Sequence, residues 1–139
     1  MAIFVTGDTH RDVDFAKLKQ FAESNPQLTK SDYIIIAGDF GGVWCESTLE
    51  EDLKPYSNLP LTVLFVDGNH ENFWGLNSYP VTMWHGGKVH MIKPDIIHLM
   101  RGQVFELEGN TIFTFGGATS IDKAFRREGI SWWAEELPT

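Results

Sequence analysis

The chain contains little cysteine and no long apolar run. Cys45 is the only cysteine among 139 residues, which excludes an intramolecular disulfide and a metal cluster held by several thiolates. No uninterrupted apolar segment reaches the roughly 18 residues that a membrane helix needs. The N-terminus enters a strand pattern at Ile3 without the basic start of a signal peptide. We therefore expect no membrane partner and a cytoplasmic location.

Positive charge is also scarce. Lysine and arginine number 11 against 19 acidic side chains, giving a net charge of −8. This balance disfavours nucleic acid and anionic lipid as partners, because both are attracted mainly by basic side chains. A phosphate-bearing substrate would instead need cations supplied locally, and bound metal ions are often the largest charges in a site.

What the chain does contain is three apolar segments that each run into a polar, glycine-marked turn. They cover Ile3–His10, Tyr33–Gly42 and Val63–Glu71. Their turns are about 30 residues apart, which is the length of a strand, a crossover helix and a parallel strand. The pattern predicts an α/β fold that starts as a parallel β-α-β-α-β unit, with the three turns at one edge of the sheet. Ligands bind at that edge in open α/β sheets.

The crossover segments carry helical patterns. Apolar residues recur at helical spacing over Phe15–Ala22, and Asn25 with the following proline ends that segment. A second helix has the spacing of a capping box, with Ser47 as N-cap and Glu50 reaching back. We expect Pro55 to stop this helix.

The second half of the chain predicts antiparallel structure. Ile96–Met100 has the composition of a short strand, and Val104–Leu107 is expected to pair with Thr111–Phe115 in a hairpin. Gly109-Asn110 is a favoured two-residue turn for that hairpin. Two further features are a short helix over Lys123–Glu128 and the pair Trp132-Trp133, which should pack against other residues.

The three turns offer side chains that can bind metal ions. Asp8 and His10 are two residues apart, so their side chains can converge on one ion. Asp39 adds a carboxylate that can bridge two ions, and Asn69 offers an amide oxygen. This set without sulfur suits manganese, zinc or iron, and less clearly magnesium. Two ions about 3.5–4 Å apart can activate a water and clamp a phosphoryl group. His70 remains available as a proton donor or transition-state stabiliser.

The same turns resemble a known family. Gly7–His10, Gly38-Asp39 and Gly68–Glu71 are similar to the first three motifs of the calcineurin-like metallophosphoesterases, in order and at similar spacing. Later segments are similar to a branch of that family in bacteria and their phages: residues 86–90, 98–102, 116–118 and 131–133. The resemblance implies a sandwich of two facing sheets with helices outside.

The resemblance also implies roles for the site residues. Asp8 and His10 would bind the first metal, Asp39 would bridge, Asn69 would bind the second metal, and His70 would contact the scissile phosphate. The implied activity is hydrolysis of phosphate esters by a metal-activated hydroxide.

The family pattern continues with a later histidine and a Gly-His-x-His motif that these 139 residues do not contain. We therefore expect residues 1–139 to form one metallophosphoesterase-like domain that lacks its C-terminal part. The expected consequences are a weakly bound second ion and weak or absent activity. The alternative is a non-catalytic metal-binding or assembly module. An unpaired sheet edge is expected to favour homo-oligomers.

Simpler interpretations exist for individual residues. A following helix could be capped by each of three proposed ligands, Asp8, Asp39 and Asn69. Arg126 or Arg127 could be surface charges, although either could reach phosphate. The remaining histidines are interpreted as ordinary hydrogen-bonded or exposed side chains: His85, His90 and His98.

Overall fold

The computed structural model describes residues 1–7 and 15–137. Asp8 and His10 therefore lie outside the described residues. The strands are β1 (Ile3–Thr6), β2 (Tyr33–Ala37), β3 (Thr62–Val66), β4 (Val81–Trp84), β5 (Gly87–Lys93), β6 (Ile96–Leu99), β7 (Gln103–Leu107) and β8 (Asn110–Thr114). The α-helices are α1 (Phe15–Glu23), α2 (Leu49–Ser57) and α3 (Phe73–Asn77). Within the described ranges, no helix has the length and apolarity needed to span a membrane.

Six strands form one mixed sheet in the order β1-β2-β3-β6-β5-β4, and β7 with β8 forms a second, two-stranded sheet. The first three strands are parallel neighbours, which confirms the predicted β-α-β-α-β start. Strand β6 is parallel to β3 on one side and antiparallel to β5 on the other. The expected antiparallel pairing in the second half therefore holds for β4, β5, β7 and β8, and for one side of β6.

Both faces of the large sheet are covered around β2 and β3, which explains why these strands are almost continuously apolar. Ile34 and Ile36 pack in the core beneath helices α1 and α2. Ile35 and Leu64 point to the other face, where they meet Phe105 and other residues of the β7–β8 hairpin. The sheet is thus held between helices on one side and the hairpin on the other, as the resemblance implies.

The turn of the β7–β8 hairpin lies one residue earlier than expected. Leu107 pairs with Asn110, so the two turn residues are Glu108 and Gly109 and not Gly109 and Asn110. Both turn residues have positive φ, 52° and 78°, as a type I′ turn requires. The expected Gly-Asn turn is therefore wrong by one position.

A second hairpin, formed by β4 and β5, was not predicted. Its turn consists of His85 and Gly86, which both have positive φ, 48° and 93°. Histidine is one of the few residue types enriched in this left-handed region. The turn is therefore of the same kind as that of β7–β8, but His-Gly is a weaker sequence pattern for it than Asn-Gly.

Helix α2 differs from the prediction at both ends. Its N-cap is Thr48 without a capping side chain, and the Ser47 hydroxyl lies 3.1 Å from the Cys45 sulfur, so the predicted capping box is wrong. Pro55 lies inside the helix, which continues to Ser57. Proline costs one backbone hydrogen bond there. Burial of Leu53 and Tyr56, which are 1% and 2% exposed, stabilises the last turn nevertheless.

The segment after β8 packs through its tryptophans. Trp133 is buried and contacts Trp44 and Trp74 edge-on, which confirms that it packs against other residues. The helix predicted over Lys123–Glu128 is only a 3-10 turn at Lys123–Phe125. It ends because Arg126 is extended, with its side chain engaged in three hydrogen bonds.

Some apolar side chains near the second sheet are exposed. Val5 on β1, Val104 on β7 and Phe113 on β8 are all largely accessible to solvent. In the described part of the chain, β1 and β8 each lack a further strand partner on one side. Such edges favour pairing with another chain. Self-association stays a prediction.

A chain of buried hydrogen bonds connects β5, β6 and the turn after β3. Asp67, just after β3, accepts from His98 Nε2 at 2.9 Å and from Arg101 Nε at 2.8 Å. The Nδ1 atoms of His98 and His90 are 2.9 Å apart, so one of them carries the shared proton. Burial, followed by the proximity of His98, lowers the pKa of His90 to about 4. His90 and His98 are thus hydrogen-bonded, as interpreted from the sequence, and His90 is neutral near pH 7.

We expect this histidine to make stability depend on pH. Between pH 6.5 and 4 the unfolded chain binds a proton at His90 that the folded chain does not, so acidification destabilises the fold. The slope reaches at most about 1.4 kcal/mol per pH unit. His90→Asn, which cannot titrate, should give a flatter dependence of the unfolding free energy on pH when both proteins are unfolded in urea.

Subtracting the two curves cancels the carboxylates that titrate in the same range. His85→Asn is the matched control, because His85 is exposed and asparagine tolerates its positive φ. The curve of this control should run parallel to that of the wild type, although the loss of the contact between His85 and the Glu106 carbonyl can displace it. If the curve of His90→Asn also runs parallel to that of the wild type, the shifted pKa of His90 is wrong.

Candidate active site

A cleft of about 510 Å³ opens where β2 and β3 end. Asp39 and Asn69 line it from the turns after these strands, and residues 112–118 line it from β8 and the following segment. This is the edge of the sheet at which the sequence predicted a site.

The turn that carries Asp39 has an unusual backbone. Asp39 has a φ of 50°, between Gly38 at 94° and Gly41 at 65°. A non-glycine residue in this region costs free energy and persists only where its surroundings fix it. The fixing group is Glu71, whose carboxyl oxygens accept from the amides of Phe40 at 2.7 Å and Gly41 at 3.0 Å.

Glu71 is fully buried directly beneath this turn. Burial raises the pKa of Glu71 to about 8, although the two amide donors act in the opposite direction. Nearby, Gly68 leaves room for the turn, since a Cβ at this position would lie 2.5 Å from the amide nitrogen of Asp39. The turns after β2 and β3 are therefore built to fit each other closely.

The side chain of His70 lies between the carboxylate of Asp39 and the guanidinium group of Arg126. Its backbone amide donates to Asp39 Oδ1 at 2.8 Å, and its Nδ1 lies 3.0 Å from Asp39 Oδ2. Its Nε2 lies 2.7 Å from a terminal nitrogen of Arg126. Because a guanidinium can only donate, Nε2 must be the accepting nitrogen and Nδ1 the protonated one. The ring is thus fixed in one tautomer that donates to Asp39.

Arg126 is fixed in turn by two further contacts. Its Nε donates to Asp122 at 2.7 Å, and another nitrogen donates to the backbone oxygen of Ser131 at 2.9 Å. Among the two arginines considered from the sequence, it is Arg126 that lies beside the predicted site.

The structure brings together the three predicted site residues that it describes: Asp39, Asn69 and His70. Asp39 and Asn69 supply oxygen atoms of the type that divalent cations prefer. Within residues 1–7 and 15–137, no group of three or more histidine, cysteine or acidic side chains forms a metal site. The donors present therefore fit a metal in chemical type, and the Asp8 and His10 ligands remain predictions.

Sequence reasoning missed several residues around the site. Glu71 belongs to the third motif, but its role under the Asp39 turn was not inferred. Two further residues were not considered. Ser120 contacts the Asn69 side chain, and Glu136 contacts Ser120. The four-residue spacing of Asp122 and Arg126 is a pattern that could have indicated a fixed arginine.

Comparison with known proteins gave one family match. The family model of the calcineurin-like phosphoesterases matches residues 1–138, nearly the whole chain. No curated protein and no solved structure matched. The chain therefore belongs to the calcineurin-like phosphoesterase family. Members of this family are in general phosphoesterases that use divalent metal ions at a dinuclear site.

Proposed function

We propose that this chain binds divalent metal ions in the cleft at Asp39 and Asn69 and hydrolyses phosphate esters there. The observation that carries the proposal is the arrangement around Asp39. Its carboxylate lines the cleft together with Asn69 and is hydrogen-bonded to His70, which itself contacts Arg126. Asp39 and Asn69 thus line one cleft, and the imidazole of His70 and the guanidinium of Arg126 are linked to the Asp39 carboxylate.

The metal would be held by side chains of the three turns. Asp39 would bridge two ions, Asn69 would bind one of them through Oδ1, and Asp8 with His10 would bind the other. Manganese, zinc or iron suits this donor set, and magnesium is a weaker match. When bound, such ions lower the pKa of water and polarise phosphoryl oxygens.

The protein groups supply orientation and further positive charge. In the tautomer described, Nδ1 of His70 carries the proton and donates it in a hydrogen bond to Asp39, and the unprotonated Nε2 lies beside Arg126. Arg126 would draw a phosphate oxygen to this edge, since guanidinium groups match phosphate geometry. Because the chain has a net charge of −8, a positively charged side chain in a fixed position would offset the repulsion of an anionic phosphate at this edge.

A second candidate function is a non-catalytic metal-binding module. The observation that favours it concerns the described residues alone, in which no three histidine, cysteine or acidic side chains form a group that could hold a metal ion. Few protein ligands imply weak binding. The two functions differ in turnover and not in the location of the ion.

The decisive experiment combines metal titration with an assay. Protein freed of metal with a chelator is titrated with Mn²⁺ by calorimetry and then tested on an aryl phosphate monoester and diester. The proposal predicts that the protein binds Mn²⁺ and hydrolyses the ester at a low rate. This hydrolysis should stop when the chelator is added again. Binding without hydrolysis of either ester would favour the non-catalytic module. The absence of binding would contradict both functions.

A further inference from the structure

The side chain of Asn69 has two chemically different ends, and only one of them binds a cation. The oxygen Oδ1 can donate a lone pair to a metal, whereas the Nδ2 group carries two protons and repels it. The Nδ2 group lies 3.1 Å from the hydroxyl oxygen of Ser120. The orientation of the amide therefore decides whether Asn69 can be a ligand.

The hydroxyl group of Ser120 can only accept from Asn69, because its own proton is already used. Ser120 Oγ lies 2.5 Å from one carboxyl oxygen of Glu136, and the Ser120 amide donates to the other at 2.9 Å. An ionised carboxylate has no proton to give, so the hydroxyl must donate to it. The lone pairs of Ser120 Oγ then face Asn69 and require a donor there. The amide nitrogen of Asn69 is that donor.

The ionised state of Glu136 follows from its contacts. Burial raises the pKa of Glu136, but the hydrogen bonds from Ser120, together with the Trp132 side chain and the charge of Arg126, outweigh this effect and the net shift is downward. The carboxylate is therefore an acceptor at neutral pH, as the direction of the hydrogen bonds requires.

The position of Glu136 is fixed by its neighbours along the chain. Its side chain and backbone are 1% exposed, and its carbonyl oxygen accepts from the amide of Ala118 at 2.9 Å. Arg101 donates to the carbonyl oxygens of residues 135 and 137 at 2.6 and 3.0 Å. Arg101 is itself paired with buried Asp67 at the end of β3. The carboxylate is thus attached to the same sheet edge that carries Asn69.

We propose that Glu136 and Ser120 are positioning residues that orient the Asn69 amide, so that its Oδ1 faces the cleft as a metal ligand. This inference rests on the proposed function for the metal itself. The direction of each hydrogen bond, from Asn69 to Ser120 and from Ser120 to Glu136, carries it.

Glu136→Gln should reverse this chain of hydrogen bonds without changing its shape. The glutamine oxygen must accept from the Ser120 amide, which places the glutamine NH₂ group against Ser120 Oγ. Ser120 then donates its proton to Asn69, and the amide of Asn69 turns its oxygen away from the cleft. Loss of a purely structural contact would lower stability but would not select the wrong end of Asn69.

Mn²⁺ affinity measured by calorimetry tests this reversal. Outer partners of metal ligands typically change affinity by about 10- to 100-fold, and we expect a loss in that range for Glu136→Gln. Glu135→Gln is the matched control, because it removes the same charge from the adjacent residue and keeps the oxygen that accepts from Trp74. This control should bind Mn²⁺ like the wild type.

Ser120→Ala and Asn69→Ala complete the series. Ser120→Ala releases the amide without reversing it, so its loss of affinity should be smaller than that of Glu136→Gln, and it replaces that variant if the latter fails to fold. If Asn69→Ala weakens binding while Glu136→Gln and Ser120→Ala bind like the wild type, the positioning role is overturned. If the wild type binds no Mn²⁺, it is the proposed function that fails.

A readout without metal keeps the orientation testable in that case. In metal-free protein labelled with ¹⁵N, the side-chain amide protons of Asn69 should show nuclear Overhauser contacts to the β-protons of Ser120. Glu136→Gln should remove these contacts, and Glu135→Gln should keep them. Wild-type spectra without such contacts would contradict the inference whatever the metal does.

Discussion

Asp39→Asn should lower Mn²⁺ affinity by more than about 100-fold and abolish metal-dependent hydrolysis. The loss should exceed the about 10- to 100-fold that outer partners of metal ligands typically cost, because Asp39 would touch the ions directly. Asparagine has the same shape and tolerates the positive φ of this position. The change therefore removes the charge and one acceptor while the backbone of the turn can be kept. Calorimetric titration with Mn²⁺ measures the loss.

Glu51→Gln is the control for this loss of charge. Glu51 is an exposed acidic residue of helix α2 and does not line the cleft. We expect its affinity and activity to equal those of the wild type. If Asp39→Asn binds Mn²⁺ as tightly as this control, Asp39 is not a metal ligand.

His70→Asn should reduce hydrolysis by about 10²- to 10⁴-fold, the range for a positioned acid–base side chain, because it removes Nε2, the unprotonated ring nitrogen that contacts Arg126 and can take up a proton. An asparagine amide can keep a hydrogen bond to Asp39 in place of Nδ1, but it has no counterpart of Nε2. Metal affinity should therefore be retained while the turnover number falls. Steady-state kinetics at saturating Mn²⁺, combined with calorimetry, separates the two effects. An unchanged turnover number would remove His70 from the reaction.

Arg126→Met should produce a related loss, because Arg126 fixes the ring of His70 through Nε2. The double variant His70→Asn with Arg126→Met should lose less than the product of the single losses, since contacting residues act as a unit. Arg127→Met is the matched control, because the hydrogen bonds described for Arg127 are made by its backbone, with residues 130–132. Full additivity of the two changes would show that Arg126 does not act through His70.

The first half of the fold could be predicted from the sequence because its determinants are local. Tyr33–Ala37 is a short apolar segment that ends in a glycine turn, and the structure has a strand with these bounds. The spacing of the turns after β2 and β3 also placed Asp39 and Asn69 at one cleft. When consecutive strands are parallel and joined by crossover helices, few topologies are possible, and the turns after the strands lie at the same edge of the sheet.

The local prediction failed where packing or backbone geometry decides. Pro55 did not stop α2, because Leu53 and Tyr56 anchor its last turn in the core. The β7–β8 turn uses Glu108 and Gly109, since the register of the hairpin follows the buried side chains Phe105 and Leu107. Neither effect has a pattern within a few residues.

Most of the support around the site depends on contacts between distant residues. Asn69 and Ser120 are 51 residues apart, and His70 and Arg126 are 56 apart. A single sequence gives residue types but not which of them meet. The proposed ligands could therefore be predicted from motifs, whereas the contacts of Ser120, Glu136 and Glu71 became visible only in the structure.

A crystal of the protein grown or soaked with Mn²⁺ tests the central claim most directly. Anomalous scattering at the manganese edge should give a peak in the cleft, about 2.2 Å from a carboxyl oxygen of Asp39 and from Oδ1 of Asn69. A manganese peak elsewhere on the molecule, with the cleft empty at a saturating concentration of the ion, would contradict the account.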